Sequence, residues 1–181
     1  HLQMTHGLTL GQRVAWLGLN HELQLVTLVA CARLGLIFMP LNFRLATAEL
    51  RVVLEDAKPS MLIHDTLHAE VAKSLSKNGL PSDSLESFIS SPSPQNLLLP
   101  DLANDADVLL VYTSGTTGQP KGVLMPHRLV LGNKPLFEYY YDYGPRQDDR
   151  LWSPADWAWI AGLINILLIP FLESLISNTH L

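Results

Sequence analysis

Hydrophobic and polar positions alternate in blocks along the first half of the chain. Three short apolar runs, at residues 13–19, 36–41 and 60–64, predict strands that are buried on both faces. Between them, two segments carry apolar residues at helical spacing: Leu23, Val26, Ala30 and Leu34, then Leu50, Val53, Leu54 and Ala57. Asn20 and Thr47 are the predicted N-caps of these helices, and Gly35 is the predicted end of the first. Residues 68–75 are predicted to form a third, short helix. The pattern predicts an α/β fold with a mostly parallel sheet and flanking helices.

Residues 76–105 have a different texture, in which Ser, Pro, Asn and Asp dominate. Such composition buries little apolar area and predicts a loosely ordered connector. We interpret it as an excursion within one incomplete domain that covers residues 1–181, because the apolar run at 108–111 should rejoin the same sheet. A linker between two small domains is the alternative.

The run at 108–111 leads into the most informative stretch, Tyr-Thr-Ser-Gly-Thr-Thr-Gly-Gln-Pro-Lys-Gly-Val at residues 112–123. Glycines allow backbone N–H groups to approach a ligand closely, hydroxyls add donors, and a lysine adds a mobile positive charge. A polyphosphate such as that of ATP is the ligand this chemistry favours. The spacing is not that of a Walker A loop, and a flexible Gly/Thr surface loop is the alternative. The candidate phosphate-binding residues are Thr113, Ser114, Gly115, Thr116, Thr117, Gly118 and Lys121.

The composition of the chain excludes several classes of protein. The chain has 181 residues, 48% of them hydrophobic, and a net charge of -5, which disfavours a nucleic-acid-binding surface. The single cysteine, Cys31, excludes an internal disulfide and is expected in the core, and the histidines show no metal-ligand spacing. No signal peptide or span of about 20 apolar residues is visible, so a cytoplasmic protein is expected. The first residue is His1 and not Met, which suggests a fragment.

The last part of the chain carries two further features. A helix is expected to open around residues 125–128 and to run toward Tyr139, with His127 in a capping arrangement and the nearby tyrosines packed on the core. Residues 151–162 combine tryptophans, an aspartate and a glycine, as in the wall of a pocket for an organic acid. The alternative is that the aspartate caps a helix while the tryptophans are core. The candidates for an acyl site are Asp156, Trp157, Trp159 and Gly162.

The string at 112–123 resembles the phosphate-loop signature of the AMP-forming adenylating enzymes, a superfamily that includes acyl-CoA synthetases. A weaker resemblance covers residues 32–50, where the family has scaffolding. Residues 155–162 resemble the Ala-Asp-x-Gly-Trp-x-x-Gly segment of acetyl- and acyl-CoA synthetases, enzymes of fatty acid metabolism, with Ala158 where Gly is usual.

The resemblance implies a ligase that joins a carboxylic acid to CoA through an acyl-adenylate, with ATP, Mg²⁺ and CoA. It covers residues 10–170 and only the N-terminal part of such enzymes. The downstream adenine- and ribose-binding segments, the C-terminal domain and its catalytic lysine are absent from this sequence, and after Pro170 the likeness stops. We therefore expect this chain by itself to be inactive, and a truncated module that binds a nucleotide or a partner is the alternative.

Overall fold

The computed structural model describes residues 2–3, 5–89, 99–113, 120–142, 150 and 152–170. The chain divides into two compact units, residues 1–127 and 128–181. Six strands lie in the first unit: β1 (Arg13–Leu17), β2 (Ile37–Pro40), β3 (Met61–His64), β4 (Ser82–Ser84), β5 (Asp107–Thr113) and β6 (Lys121–Pro126). Its helices are α1 (Glu22–Leu34), α2 (Thr47–Ala57), α3 (Ala69–Leu75) and α4 (Leu85–Ile89).

The strands form one sheet in the order β4-β3-β1-β2-β5-β6. Every adjacent pair is parallel except β5 and β6, which are antiparallel. This confirms the predicted α/β fold with a mostly parallel sheet. The central strands are buried on both faces, as their unbroken apolar runs predicted.

One core cluster lies on the sheet face that carries α2 and α3. Side chains alternate along a strand, so Ala15, Leu17, Leu62 and Leu110 share this face. The apolar face of α2 packs on it through Leu50, Val53, Leu54 and Ala57, the four residues predicted from the periodicity. This burial fixes α2 firmly to the sheet.

Two helix details differ from the prediction. The N-cap of α1 is His21 and not Asn20, because His21 Nδ1 accepts a hydrogen bond of 3.1 Å from the N–H of Leu23. The buried face of α1 is also rotated: Val26 is 53% exposed, and the buried residues are Gln24, Thr27, Leu28 and Cys31. Cys31 is in the core, as expected, and burial raises the pKa of its thiol.

Helix α2 also begins differently from the prediction. Its N-cap is Ala46, and Thr47 is the first helical residue. The Glu49 carboxylate accepts a hydrogen bond of 2.8 Å from the N–H of Ala46. This is the contact that a Glu in the first turn makes in a capping box, whereas Ala46 has no side-chain acceptor for the first-turn N–H groups.

The predicted connector at 76–105 contains regular secondary structure. It contributes α4 and the edge strand β4, which pairs in parallel with β3. The N–H of Leu62 donates to the carbonyl oxygen of Pro81 at 2.9 Å, just before β4 begins. The prediction missed this strand because its sequence, Ser-Asp-Ser, has no apolar periodicity.

The segment after the glycine-rich loop is a strand and not the start of a helix. Met125 and Pro126 belong to β6, and helix α5 spans Leu129–Tyr140 in the second unit. His127 therefore does not cap the helix start; its N–H donates to the carbonyl oxygen of Ala106 at 3.0 Å. Burial lowers the pKa of its imidazole.

The second unit also contains a π-helical segment, Ala161–Leu168, whose residues Leu163, Ile164 and Leu168 are buried. Tyr139, near the end of α5, is 83% exposed, so the expected packing of this tyrosine on a core is wrong. Residues 143–149 and 171–181 lie outside the described part of the chain.

Candidate functional site

The predicted phosphate loop connects the two antiparallel strands β5 and β6. Thr113 is the last residue of β5, Lys121 is the first of β6, and the two are direct cross-strand partners. Both are exposed to solvent. Ser114, Gly115, Thr116, Thr117 and Gly118 lie outside the described residues. The structure thus brings together the two ends of the predicted loop.

This location differs from that of a Walker A loop. A Walker A loop leads into a helix, whose N-terminus then faces the phosphates. Here the chain continues from the loop into β6, which begins with the cationic side chain of Lys121. Binding of a phosphate here would rest on loop N–H groups, hydroxyls and that ammonium group.

An aromatic side chain lies directly below the loop. Tyr112 pairs across the hairpin with Gly122, and its ring covers the glycine so closely that a Cβ at position 122 would lie 3.0 Å from Tyr112 Cζ. The Tyr112 hydroxyl donates a hydrogen bond to Asp56 Oδ2, near the end of α2. Burial, followed by this contact with Asp56, raises the pKa of Tyr112 above its ordinary value. The sequence motif includes Tyr112 but does not predict a role for it.

A second polar cluster lies at the same edge of the sheet, because parallel strands end at a common edge. The chain leaves β1 toward β2 but leaves β3 toward β4, so the connections diverge between β1 and β3. Ligands of open α/β sheets often bind at such a point. In this protein the side chain of Asp65 lies at the point between β1 and β3. Its carboxylate accepts 2.9 Å hydrogen bonds from the N–H groups of Leu19 and His68.

The imidazole of His68 completes this cluster, with Nδ1 at 2.6 Å from Asp65 Oδ1. Burial by itself would raise the pKa of Asp65, but the hydrogen bonds from Leu19 and His68 and the charge of His68 outweigh it and lower that pKa. A Cβ at Gly18 would lie 2.8 Å from Asp65 Oδ2, so the glycine makes room for the carboxylate. We assign this cluster to the fold and not to ligand binding.

The candidate acyl-site residues lie in the second unit. The N–H of Trp159 donates to the carbonyl oxygen of Asp156 at 3.1 Å, and a Cβ at Gly162 would lie only 2.5 Å from that oxygen. The structure therefore brings Asp156, Trp159 and Gly162 together. Trp157 is partly buried, whereas Trp159 is 44% exposed and does not fit the alternative of a core tryptophan. The N-cap of the π-helical segment is Ile160.

An open cleft of about 510 Å³ lies elsewhere in the first unit. Arg51, Leu54, Lys58 and Leu75 contribute to its walls, together with the residues just before β3 and β4. It is therefore near the amino ends of these strands, whereas Thr113 ends its strand at the carboxyl edge. We do not assign the cleft to the candidate site.

Within the described residues, no group of three or more His, Cys, Asp or Glu side chains is arranged to hold a metal ion. No helix in the described ranges is both long and apolar enough to cross a membrane.

Comparison with known proteins connects this geometry to a family. A family model described as "AMP-binding enzyme" matches residues 1–175, a little beyond the limit of 170 expected from the motifs. The feruloyl-CoA synthase of an Amycolatopsis species is 42% identical over 124 residues, which are 67% of this chain and 24% of that protein. The chain thus spans about a quarter of the length of this relative.

Solved structures show the same fold. A protein of Rhodopseudomonas palustris described as a "putative long-chain-fatty-acid CoA ligase" superposes with a TM-score of 0.80 at 20% identity, over 91% of this chain and 44% of that chain. MatB from the same organism, with ATP bound, gives a TM-score of 0.78 at 24% identity, over 93% of this chain and 35% of that chain. With the family model matching nearly the whole sequence, this chain belongs to the family of AMP-binding enzymes.

Proposed function

We propose that this chain is the phosphate-binding part of an AMP-forming ligase that joins a carboxylic acid to CoA. The observation that carries the proposal is the cross-strand pair Thr113–Lys121, which closes the glycine- and hydroxyl-rich loop in a member of the AMP-binding family. The feruloyl-CoA synthase is a CoA ligase of this kind by name, and MatB, which shares the fold, was solved with ATP.

The proposed reaction has two steps. A carboxylate oxygen attacks the α-phosphorus of ATP, the bond to the pyrophosphate breaks, and an acyl-adenylate forms. The thiol of CoA then displaces AMP to give the thioester. The first step brings two anions together and leaves negative charge on the pyrophosphate, so it requires positioned donors and a cation.

The chain's own groups match that need. Thr113, Ser114, Thr116 and Thr117 offer hydroxyl donors, Gly115 and Gly118 offer backbone N–H groups with no Cβ beside them, and Lys121 offers the positive charge. Magnesium enters with ATP as part of the substrate and bridges phosphate oxygens. A cytoplasmic location is part of the same proposal, because ATP and CoA are its substrates.

The acyl group is assigned to the segment that contains Asp156, Trp157, Trp159 and Gly162. The exposed face of Trp159 offers apolar surface to an organic acid, while the backbone contact between Asp156 and Gly162 fixes the shape of the segment. Aromatic acids and fatty acids are both classes to test, since a feruloyl-CoA synthase and a fatty-acid ligase are among the similar proteins.

The 181-residue chain spans 24% of the feruloyl-CoA synthase, so we propose that it does not complete the reaction by itself. A module that binds nucleotide without turnover is the second candidate. Acid-dependent exchange of pyrophosphate into ATP distinguishes the two, because a binding module gives none.

The test is this exchange reaction, measured with the complete protein that carries this sequence and a panel of aromatic and fatty acids. Lys121→Ala should slow exchange by about 10²-fold, as for other lost transition-state contacts. Lys73→Ala removes an exposed lysine from α3 and should leave the rate unchanged. Equal rates for Lys121→Ala and the unaltered protein would refute the assigned role of the loop.

A further inference from the structure

The hydrogen bond between Tyr112 and Asp56 ties the hairpin to the helical layer of the first unit. Tyr112 is the residue immediately before Thr113, and its cross-strand partner Gly122 is the residue immediately after Lys121. The side chain of Tyr112, in β5, therefore contacts β6 one residue away from Thr113 and Lys121. We propose that Tyr112 and Asp56 are positioning residues that hold Thr113 and Lys121 in the orientation needed for nucleotide phosphates, an inference that rests on the proposed function.

The ring of Tyr112 is held from two sides. It shares the sheet face of Leu110 and packs as a half-buried residue against the core cluster. On the other side it covers Gly122, where a Cβ would lie 3.0 Å from both Tyr112 Cζ and Leu110 Cδ1. Any side chain at position 122 would displace the ring, so glycine is needed here for close approach and not for a special backbone angle.

The hydroxyl group supplies the connection to a rigid element. Asp56 is the penultimate residue of α2, and its neighbours Val53 and Ala57 are each 1% exposed in the core. A hydrogen bond to an ionised carboxylate is stronger than one between neutral groups. The hydrogen bond thus connects the end of the hairpin to a helix whose own position is fixed by burial. The two bonded residues are 56 positions apart in the sequence.

A purely structural role and a positioning role predict different kinetics. Loss of a structural bond lowers the amount of folded enzyme, which reduces the measured kcat and leaves KM unchanged. Loss of a positioning bond misplaces Thr113 and Lys121 in enzyme that stays folded, which raises KM for ATP, with or without a fall in kcat, and leaves KM for the acid unchanged. This difference in KM distinguishes the two roles.

The experiment uses the complete protein with Tyr112→Phe, Asp56→Ala and both together, and with Glu55→Ala as the matched control. Glu55 is the neighbouring exposed carboxylate on α2. Each single variant should raise KM for ATP roughly fivefold in pyrophosphate exchange, and the double variant no further, since both remove one bond. Glu55→Ala should behave as the unaltered protein. Unchanged KM for ATP in Tyr112→Phe and Asp56→Ala, or an additive double variant, would overturn the proposal.

A second readout does not depend on nucleotide. Amide hydrogen exchange at Tyr112, Thr113, Lys121 and Gly122, measured by NMR without ligand, should be faster in Tyr112→Phe and Asp56→Ala than in Glu55→Ala. Gly122→Ala, which displaces the ring while keeping both polar groups, should give the same acceleration. If the unaltered protein does not bind ATP, the proposed function fails. The amide hydrogen exchange rates still decide whether Tyr112 and Asp56 hold the hairpin in place. Equal amide exchange rates in all variants would refute that role.

Discussion

Asp65 illustrates at the scale of one residue how polar groups close the carboxyl edge of the sheet. Its carboxylate receives hydrogen bonds from the N–H groups of Leu19 and His68, and its side chain is only 16% exposed. Asp65→Asn keeps the shape but removes the charge and replaces one of the two acceptor oxygens with an NH2 group, so one of the two bonds is lost. We expect a loss of about 1–3 kcal/mol in the free energy of unfolding at pH 7, measured by urea denaturation.

The pH dependence of this loss has a definite sign. The pKa of Asp65 is lowered in the folded protein, so its stabilising effect is fully present above the ordinary carboxyl pKa and disappears as pH falls through the lowered value. The difference between Asp65→Asn and the unaltered protein should therefore shrink between pH 7 and pH 3. Asp105→Asn, at an exposed site, should show almost no difference at either pH. A constant difference for Asp65→Asn would contradict the assignment.

Single residues also mark the limit of what the sequence predicts. The motif named Thr113 and Lys121 as residues of one phosphate loop; they are cross-strand partners, and their role in binding stays a prediction. The predicted end of α1 at Gly35 is confirmed, because its left-handed backbone favours glycine. Both predicted N-caps were wrong; in α1, Asn20 and His21 are both able to accept a hydrogen bond and the backbone decides between them. The role of Tyr112 could not be predicted, since its partner Asp56 is distant in sequence.

At the scale of elements, buried strands were predictable and edge strands were not. Strands β1, β2, β3 and β5 appear as apolar runs because both of their faces are covered. Strand β4 is polar, and most of β6 is exposed, so neither carries a pattern that distinguishes a strand from a loop. Backbone pairing with a neighbour creates these two strands, and the neighbour is known only from the fold.

The contact between the π-helical segment and the preceding turn predicts an effect at the element scale. Gly162→Ala places a Cβ about 2.5 Å from the carbonyl oxygen of Asp156, which must then move away from the segment. We expect a loss of about 1–3 kcal/mol in the free energy of unfolding and a change in the near-ultraviolet circular dichroism of the adjacent tryptophans.

Gly132→Ala is the matched control for that variant. Gly132 lies in α5 of the same unit, and a Cβ there would contact nothing within 4 Å. Because alanine favours a helix over glycine by up to about 1 kcal/mol, this variant should be neutral or more stable. Equal destabilisation by both substitutions would show that the close approach at Gly162 is not the cause.

At the scale of the whole molecule, binding of a phosphate ligand by the hairpin must appear as stability. A ligand that binds only the folded state raises the free energy of unfolding by about 2.7 kcal/mol when its concentration is 100 times Kd. Strand β5 contributes Leu109, Leu110 and Val111 to the core of the first unit, so the hairpin unfolds with that core. MgATP should therefore raise the urea midpoint of the 181-residue chain.

The ligand series identifies which part of ATP is responsible. Inorganic triphosphate should retain a measurable share of the increase, and adenosine should give much less than MgATP, because the loop offers donors and a cation for phosphate. Lys121→Ala should abolish the increase, while Lys73→Ala should keep it, since both lysines are exposed but only Lys121 closes the loop. An equal increase of the urea midpoint with adenosine, or an increase that persists in Lys121→Ala, would mean that the nucleotide binds elsewhere on the molecule. The hairpin would then not be the phosphate-binding site.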